Sequence, residues 1–250
     1  MKTMLGATVW AVTLALAAAT SAGAGTITGR VVFRGDLPRL VNVPVLKDHH
    51  ACGSLIRSEA LVVSRVNGGV LNAAVWIEGS PPVEAPAAPA EALLENRGCR
   101  FVPHVLALRA GDELVITNND DVLHNLRAWL LPDRRAVLNV VQPTPGQTTR
   151  QTIKRPGVMT LTCDTHVHMR GHLLAFDHPY FALTRADGEF RITGVPAGTH
   201  RITLWHEGWT VVGRESNGSF VYEPPRVLTQ EVVVPESGEV RVELELTASP

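Results

Sequence analysis

The chain has 250 residues, with 23 Lys plus Arg against 24 Asp plus Glu and a formal net charge of −1. Charges that nearly cancel exclude the broad basic field by which nucleic acid or an anionic membrane surface is held. Hydrophobic residues make up 45% of the chain, enough for one large β-sandwich or two small domains.

The chain opens with Lys2, an uncharged apolar run from Met4 to Ala19, and small residues at Ala22 and Ala24. This order reads as an export signal over residues 1–24 with cleavage before Gly25. No later stretch is apolar enough to span a bilayer, so no membrane span is expected after cleavage. Export would place Cys52, Cys99 and Cys163 where thiols pair, and one of the three must be left over. Three pairings are open. Cys163 sits among histidines, so a Cys52–Cys99 bridge with Cys163 free is the expectation.

Beyond the signal the pattern is all-β. TITGRVVF (26–33), NAAVWIEG (72–79), VLALRAG (105–111), DELVITN (112–118) and VMTLTC (158–163) are short β-branched runs broken by Gly, Pro, Asn or Asp. GEFRITGV (188–195), THRITLWH (199–206), EVVVPES (231–237) and EVRVELEL (239–246) continue the series. Such runs read as the strands of sandwiches or barrels. Period-two alternation at Glu239–Leu246 predicts one buried and one wet face. Residues 80–97 are Pro/Ala-rich and read as a linker, with a helical turn at Ala90–Leu94. A second boundary is expected near Phe176–Phe181, dividing the mature chain into 25–79, 98–176 and 177–250.

LTCDTHVHMRGH, residues 161–172, gathers one cysteine, three histidines and a methionine. A redox copper site needs a thiolate, two neutral imidazoles and a weak axial thioether. Cys163, His166 and Met169 supply three of these groups at C-x2-H-x2-M spacing. A loop this tight cannot close the plane alone, and His124, delivered by the strand and Asn/Asp turn of GDELVITNNDDVLHNL (111–126), is the candidate second imidazole. His168 competes with His166 for that plane. His104 reads as a strand residue near the site and an alternative ligand. His49 and His50 read as solvated surface, with a second, weaker metal site as the sharper alternative, while His172, His178, His200 and His206 show no ligand spacing.

FVPHVLALRAGDELVITNNDDVLHN and PGVMTLTCDTHVHM together resemble the cupredoxins, the blue-copper fold of the amicyanin and plastocyanin kind. The resemblance covers about eighty residues, a third of the chain, and implies a Greek-key sandwich over 98–176 binding one copper ion. His124, Cys163, His166 and Met169 would be its ligands. It further implies that Asn125 hydrogen-bonds the backbone beside Cys163 and locks the two loops together, with Phe101 and Pro103 packed near the same end. The chain departs from the pattern at Val167, where a proline commonly follows the loop histidine and stiffens it by fixing φ.

FALTRADGEFRITGVPAGTHRITLWHEGW (181–209) resembles the carboxypeptidase regulatory-like, or prealbumin-like, β-sandwich module, whose opening strand pattern is matched by GTITGRVVFRGDLP (25–38). Such a module would be split, with the cupredoxin inserted; strands of an enlarged cupredoxin sheet are the alternative for the N-terminal part. Carbohydrate binding would need exposed aromatics, and Trp76, Trp205 and Trp209 read as core. NGS at Asn217 fits a glycosylation acceptor but carries little weight in a bacterial-type exported chain.

The expectation is a non-enzymatic periplasmic carrier that shuttles one electron as Cu(II)/Cu(I) to a redox partner protein not named by the sequence. The periplasm follows from the resemblance, as the compartment of small copper carriers. Copper delivery without redox work, and a carbohydrate- or protein-binding β-module, are the alternatives. No paired acid and base, nucleophile elbow or second metal cluster marks an enzyme.

Overall fold

The computed structural model describes residues 23–79 and 88–248. The expected signal up to Ala22, and residues 80–87 of the expected linker, lie outside the described residues. Within them the chain is all-β as expected, with a single helical turn at His49–Cys52. No helix among the described residues is long and apolar enough to cross a membrane.

The alternation read at the C-terminus is realised in the strand Glu239–Thr247, which buries Val242, Leu244 and Leu246 and exposes Glu243 and Glu245. That strand pairs in parallel with Ala24–Arg34, whose other edge pairs antiparallel with Glu189–Pro196. A second sheet carries Phe181–Leu183, Ala74–Ile77, Gly198–His206 and Arg226–Val234 in that spatial order. The two sheets share one core, in which Ile27, Val31, Val75 and Ile77 meet Ile192, Ile202, Leu204 and Leu244. Burying each such side chain contributes about 1.5–3 kcal/mol.

A second sandwich lies between these segments in the sequence. One of its sheets runs Thr148–Thr152, Glu113–Asn118, Glu91–Asn96, Phe101–Val102. The other runs Arg135–Gln142, His124–Leu130, Gly157–Thr162, Arg170–Phe176, Val105–Arg109. Leu94, Phe101, Leu114, Ile116, Leu126, Met159, Leu161 and Leu173 fill the space between them. A smaller apolar seam joins the two sandwiches, where Ala74 and Trp205 meet Val105, Leu174 and Phe176, and Trp76 lies against Phe176 at 5.4 Å between ring centroids.

One expectation is corrected. The helical turn read at Ala90–Leu94 is instead the strand Glu91–Asn96, paired in parallel with Glu113–Asn118 from Glu91↔Glu113 to Asn96↔Asn118. Leu94 and Asn96 face the core while Leu93 is exposed, a period of two that Ala and Leu, lacking β-branching, do not advertise. The described part of the expected linker therefore contributes a central strand of the second sandwich.

Leu94→Ala tests this placement. It should cost about 2–5 kcal/mol, the range for a fully buried leucine that leaves a cavity. Urea denaturation measures the loss, and a midpoint equal to wild type would return the segment to a surface linker.

Candidate metal centre

Two connections meet at one end of the second sandwich. The strand Glu113–Asn118 ends in a turn that delivers His124, and the strand Gly157–Thr162 ends in the loop Cys163–Met169. Antiparallel pairing of His124–Leu130 with Gly157–Thr162, in register Arg127↔Thr162, sets the roots of the two connections side by side. The first turn is anchored by a buried amide network. Asn118 Nδ2 donates to the Val122 and Gln142 carbonyls at 2.9 and 3.1 Å, while Gln142 Nε2 donates to Ile116 O at 2.9 Å and Gln142 Oε1 accepts from Asn96 Nδ2 at 2.8 Å.

His124, Cys163 and His166 converge, with one donor atom of each lying within 4.8 Å of the others and all three residues buried. Two donors on one ion, each at a bond length of about 2.0–2.3 Å, can stand no more than about 4.6 Å apart, so the bound on these three atoms comes within a few tenths of an ångström of the span one ion bridges. Cys163 Sγ lies 3.8 Å from His166 Nδ1. His166 Nε2 is taken by Asp48 Oδ2 at 3.0 Å and His124 Nε2 by Asp120 Oδ2 at 2.9 Å. A carboxylate only accepts, so each Nε2 carries the hydrogen and each Nδ1 keeps its lone pair. His124 Nδ1 is buried without a hydrogen-bond partner. A lone pair left unmet beside a thiol and a second imidazole is the donor set of a soft metal.

The electrostatics agree. Burial holds both imidazoles below the usual histidine value, against the pull of Asp120 on His124 and of Asp48 on His166, so both are neutral near pH 7. Burial also pushes the Cys163 thiol up, opposed by backbone hydrogen bonds from Asn125, His166 and Thr165. Those N–H groups point at the sulfur and stabilise its anion once a cation arrives.

Asn125 ties the loops together. Its Oδ1 accepts the Asp164 backbone N–H at 2.7 Å, its backbone N–H reaches Cys163 Sγ at 3.5 Å, and its Nδ2 donates to Asn139 Oδ1 and Asp164 Oδ2, each at 3.2 Å. Met169 donates its N–H to the His166 carbonyl at 2.8 Å, and its buried side chain lies in the same core as Cys163. Phe101 is packed in that core as well. The Cys52–Cys99 disulfide is present and Cys163 is free and buried.

Sequence reading missed Asp48 and Asp120. Asp120 stood in view four residues before His124, whereas Asp48 is 118 positions from His166 and nothing local marks it. Cys99, Asp120 and His124 also lie close enough to share an ion, but Cys99 is spent in the disulfide.

No family model matches the chain, and no curated protein matches it. Similar solved structures include a copper-containing nitrite reductase from Thermus scotoductus SA-01, at 23% identity over 39% of this chain and 25% of that one, TM-score 0.30. This chain therefore spans about a quarter of the reductase. The purple cupredoxin of Nitrosopumilus maritimus is 19% identical over 34% of this chain and 98% of its own, TM-score 0.29. A reduced Cu(I) amicyanin variant is 17% identical over 40% and 97%, TM-score 0.30. These neighbours are cupredoxins in part of the chain, and a likeness this low carries no weight beside the geometry.

The remaining histidines lie elsewhere. His168 packs edge-on to His166 at 5.6 Å between centroids, outside the converging trio, with Nε2 buried and unpartnered. His49 bonds the Val45 carbonyl and is exposed, as is His50. His178, His200 and His206 make local backbone hydrogen bonds. Trp205 and Trp209 are buried, and Trp76 is half-buried. His104, the other alternative ligand, lies outside the trio: its Nε2 is hydrogen-bonded to the buried Glu207, brought by the other sandwich. Glu207 also meets His172 Nε2 at 3.2 Å and Arg170 Nη1 at 2.9 Å. Burial disfavours the His104 cation, yet the Glu207 charge and hydrogen bond outweigh it and hold His104 above the usual value. His172, fully enclosed and facing the Arg170 and His104 charges, is pushed down to about 4 despite Glu207.

His172 thus refuses a proton that the unfolded chain accepts near pH 6.5, and stability falls as pH drops from about 6.5 to 4. His172→Gln should shrink the loss of urea midpoint across that window. An unchanged pH profile would remove His172 as its source.

Proposed function

We propose that the chain is a periplasmic type 1-like copper protein that carries single electrons to and from a redox partner protein. The observation that supports this reading is the convergence of His124, Cys163 and His166, with His124 Nδ1 buried and unpartnered. His124 and His166 would hold copper through Nδ1 and Cys163 through its thiolate. Met169, whose backbone is bonded to His166, would supply a weak thioether ligand. Copper in such a set supplies one-electron Cu(II)/Cu(I) chemistry.

The chain's own residues do the rest. Cys163 gives up its thiol proton on loading, and the N–H groups of Asn125, Thr165 and His166 hold the resulting anion. Asn125, spanning both loops, resists any change in the sulfur–imidazole separation, so little rearrangement accompanies electron transfer. All three donors are at most 2% exposed, which excludes bulk water. Such enclosure suits a retained ion better than one handed on, which favours the carrier over copper delivery. The flanking sandwich, similar in sequence to carboxypeptidase regulatory-like modules, serves in this reading as a scaffold, with Glu207 reaching across to the second sandwich. No substrate step belongs to it.

Adding Cu(II) to the purified mature protein should produce an intense visible thiolate-to-copper band with a reversible one-electron potential, and Cys163→Ser should abolish the band. A colourless Cu(II) form with preferential uptake of Cu(I) would turn the reading towards delivery.

A further inference from the structure

Both imidazoles of the trio are backed by a carboxylate, and the two carboxylates are joined through the disulfide. Asp120 receives three donors: the Gly98 N–H at 2.6 Å, the Cys99 N–H at 2.8 Å and His124 Nε2 at 2.9 Å. Successive positive φ values at Gly98 (60°) and Cys99 (54°) turn both N–H groups onto that carboxylate. Cys99 is bridged to Cys52. Cys52 ends the helical turn His49–Cys52, whose N-cap residue is Asp48 at φ 55°, and Asp48 accepts from His166 Nε2. The path runs from His124 through Asp120, Cys99, Cys52 and Asp48 to His166, closing a ring outside the donor atoms.

Backbone strain falls on this ring. Of the four non-glycine residues with positive φ among those described, two, Asp48 and Cys99, belong to it. Such conformations are unfavourable for residues with a side chain and persist where surrounding structure enforces them, commonly at functional sites. Neither carboxylate has an arginine or lysine ion-pair partner among the described residues, whereas Asp164, near the same loop, is paired with Arg127 at 2.8 Å.

We infer that Asp48 and Asp120, held in place by the Cys52–Cys99 disulfide, form an anionic clamp on the two metal-binding imidazoles and set how tightly and in which oxidation state the ion is kept. This inference rests on the copper reading above. Its chemistry is that of a carboxylate behind a ligating histidine: the hydrogen bond fixes the ring's tautomer and orientation and raises the basicity of the ligating nitrogen. Two added negative charges also favour Cu(II) over Cu(I), since the higher-charged ion gains more from them. The clamp residues are positioning residues, acting through His124 and His166. Disulfide and charge act on one site, so a bridge that looks like ordinary stapling of an exported fold is part of the metal centre.

The test uses the copper-loaded protein and three variants, Asp48→Asn, Asp120→Asn and the double variant Cys52→Ser, Cys99→Ser. Both asparagine changes keep an acceptor oxygen on each imidazole while removing its charge. The midpoint potential, read from the visible band, should rise in each, and Asp48→Glu should return towards wild type. In the double serine variant, competition with an external chelator should show copper held about tenfold to a hundredfold more weakly than in wild type, the usual penalty for losing such support. Potentials and copper affinities equal to wild type, with the band intact, overturn the clamp and leave the copper reading standing. Absence of the band in the wild type overturns both. Should Asp120→Asn fail to fold, Asp48→Asn, with its quarter-exposed side chain, and the serine variant decide the matter.

Discussion

The site depends on one hydrogen bond, from the Asp164 backbone N–H to Asn125 Oδ1 at 2.7 Å. Cys163 and His124 are 39 positions apart and lie on separate connections, and a thiol and an imidazole brought together by chance packing would not hold a fixed separation. Asn125 converts the meeting into a joint, because its amide spends both donor and acceptor capacity across the gap. A buried amide that lost these partners would incur its full desolvation cost, about 1–3 kcal/mol. The loops are therefore as rigid as the sheet pairing beneath them, and the buried amides of Asn96, Asn118 and Gln142 brace the turn that leads into His124.

Much of this was legible in the residues. Short β-branched runs separated by turn residues gave the all-β class, and alternation at Glu239–Leu246 named the buried face. The disulfide followed from the neighbourhoods of three cysteines. The local C-x2-H-x2-M loop was visible because one turn of chain carries all three groups. His124 is legible from what the expected copper set still lacks once the loop is counted, and from the His-Asn dipeptide of the resemblance. What stayed hidden has a common physical origin. The strand Glu91–Asn96 is written in Ala, Leu and Glu, residues with better helical than strand propensity, and only parallel pairing with Glu113–Asn118 decides its state. Asp48 and Glu207 act across 118 and 103 positions, on His166 and His104, and no local pattern encodes an encounter of that range.

Two kinds of polar burial coexist in the molecule and do different things. At the trio, neutral imidazoles surround an unmet lone pair, an arrangement that leaves room for a cation. At Glu207 the opposite holds: burial would raise this carboxylate, yet the charges of His104 and Arg170 and the His104 hydrogen bond keep it well below its usual value, and it is already satisfied by protein groups. Arg170 directly follows Met169 and lies over the Tyr222 ring at 4.1 Å, so this ion cluster fastens the far root of the Cys163–Met169 loop to the flanking sandwich.

The outer core is assembled from the two extremities of the described chain: Thr26–Arg34 runs alongside Glu239–Thr247 in an unbroken parallel register. Contacts separated by more than two hundred positions close large loops and form late, since the chain entropy they remove is spent before any burial repays it. The inner sandwich needs no such closure, as its strands from Glu91 to Phe176 are neighbours in sequence. Order should thus spread outward from the nested body, and the strand Ala24–Arg34 waits, edge unsatisfied, for the last one to arrive.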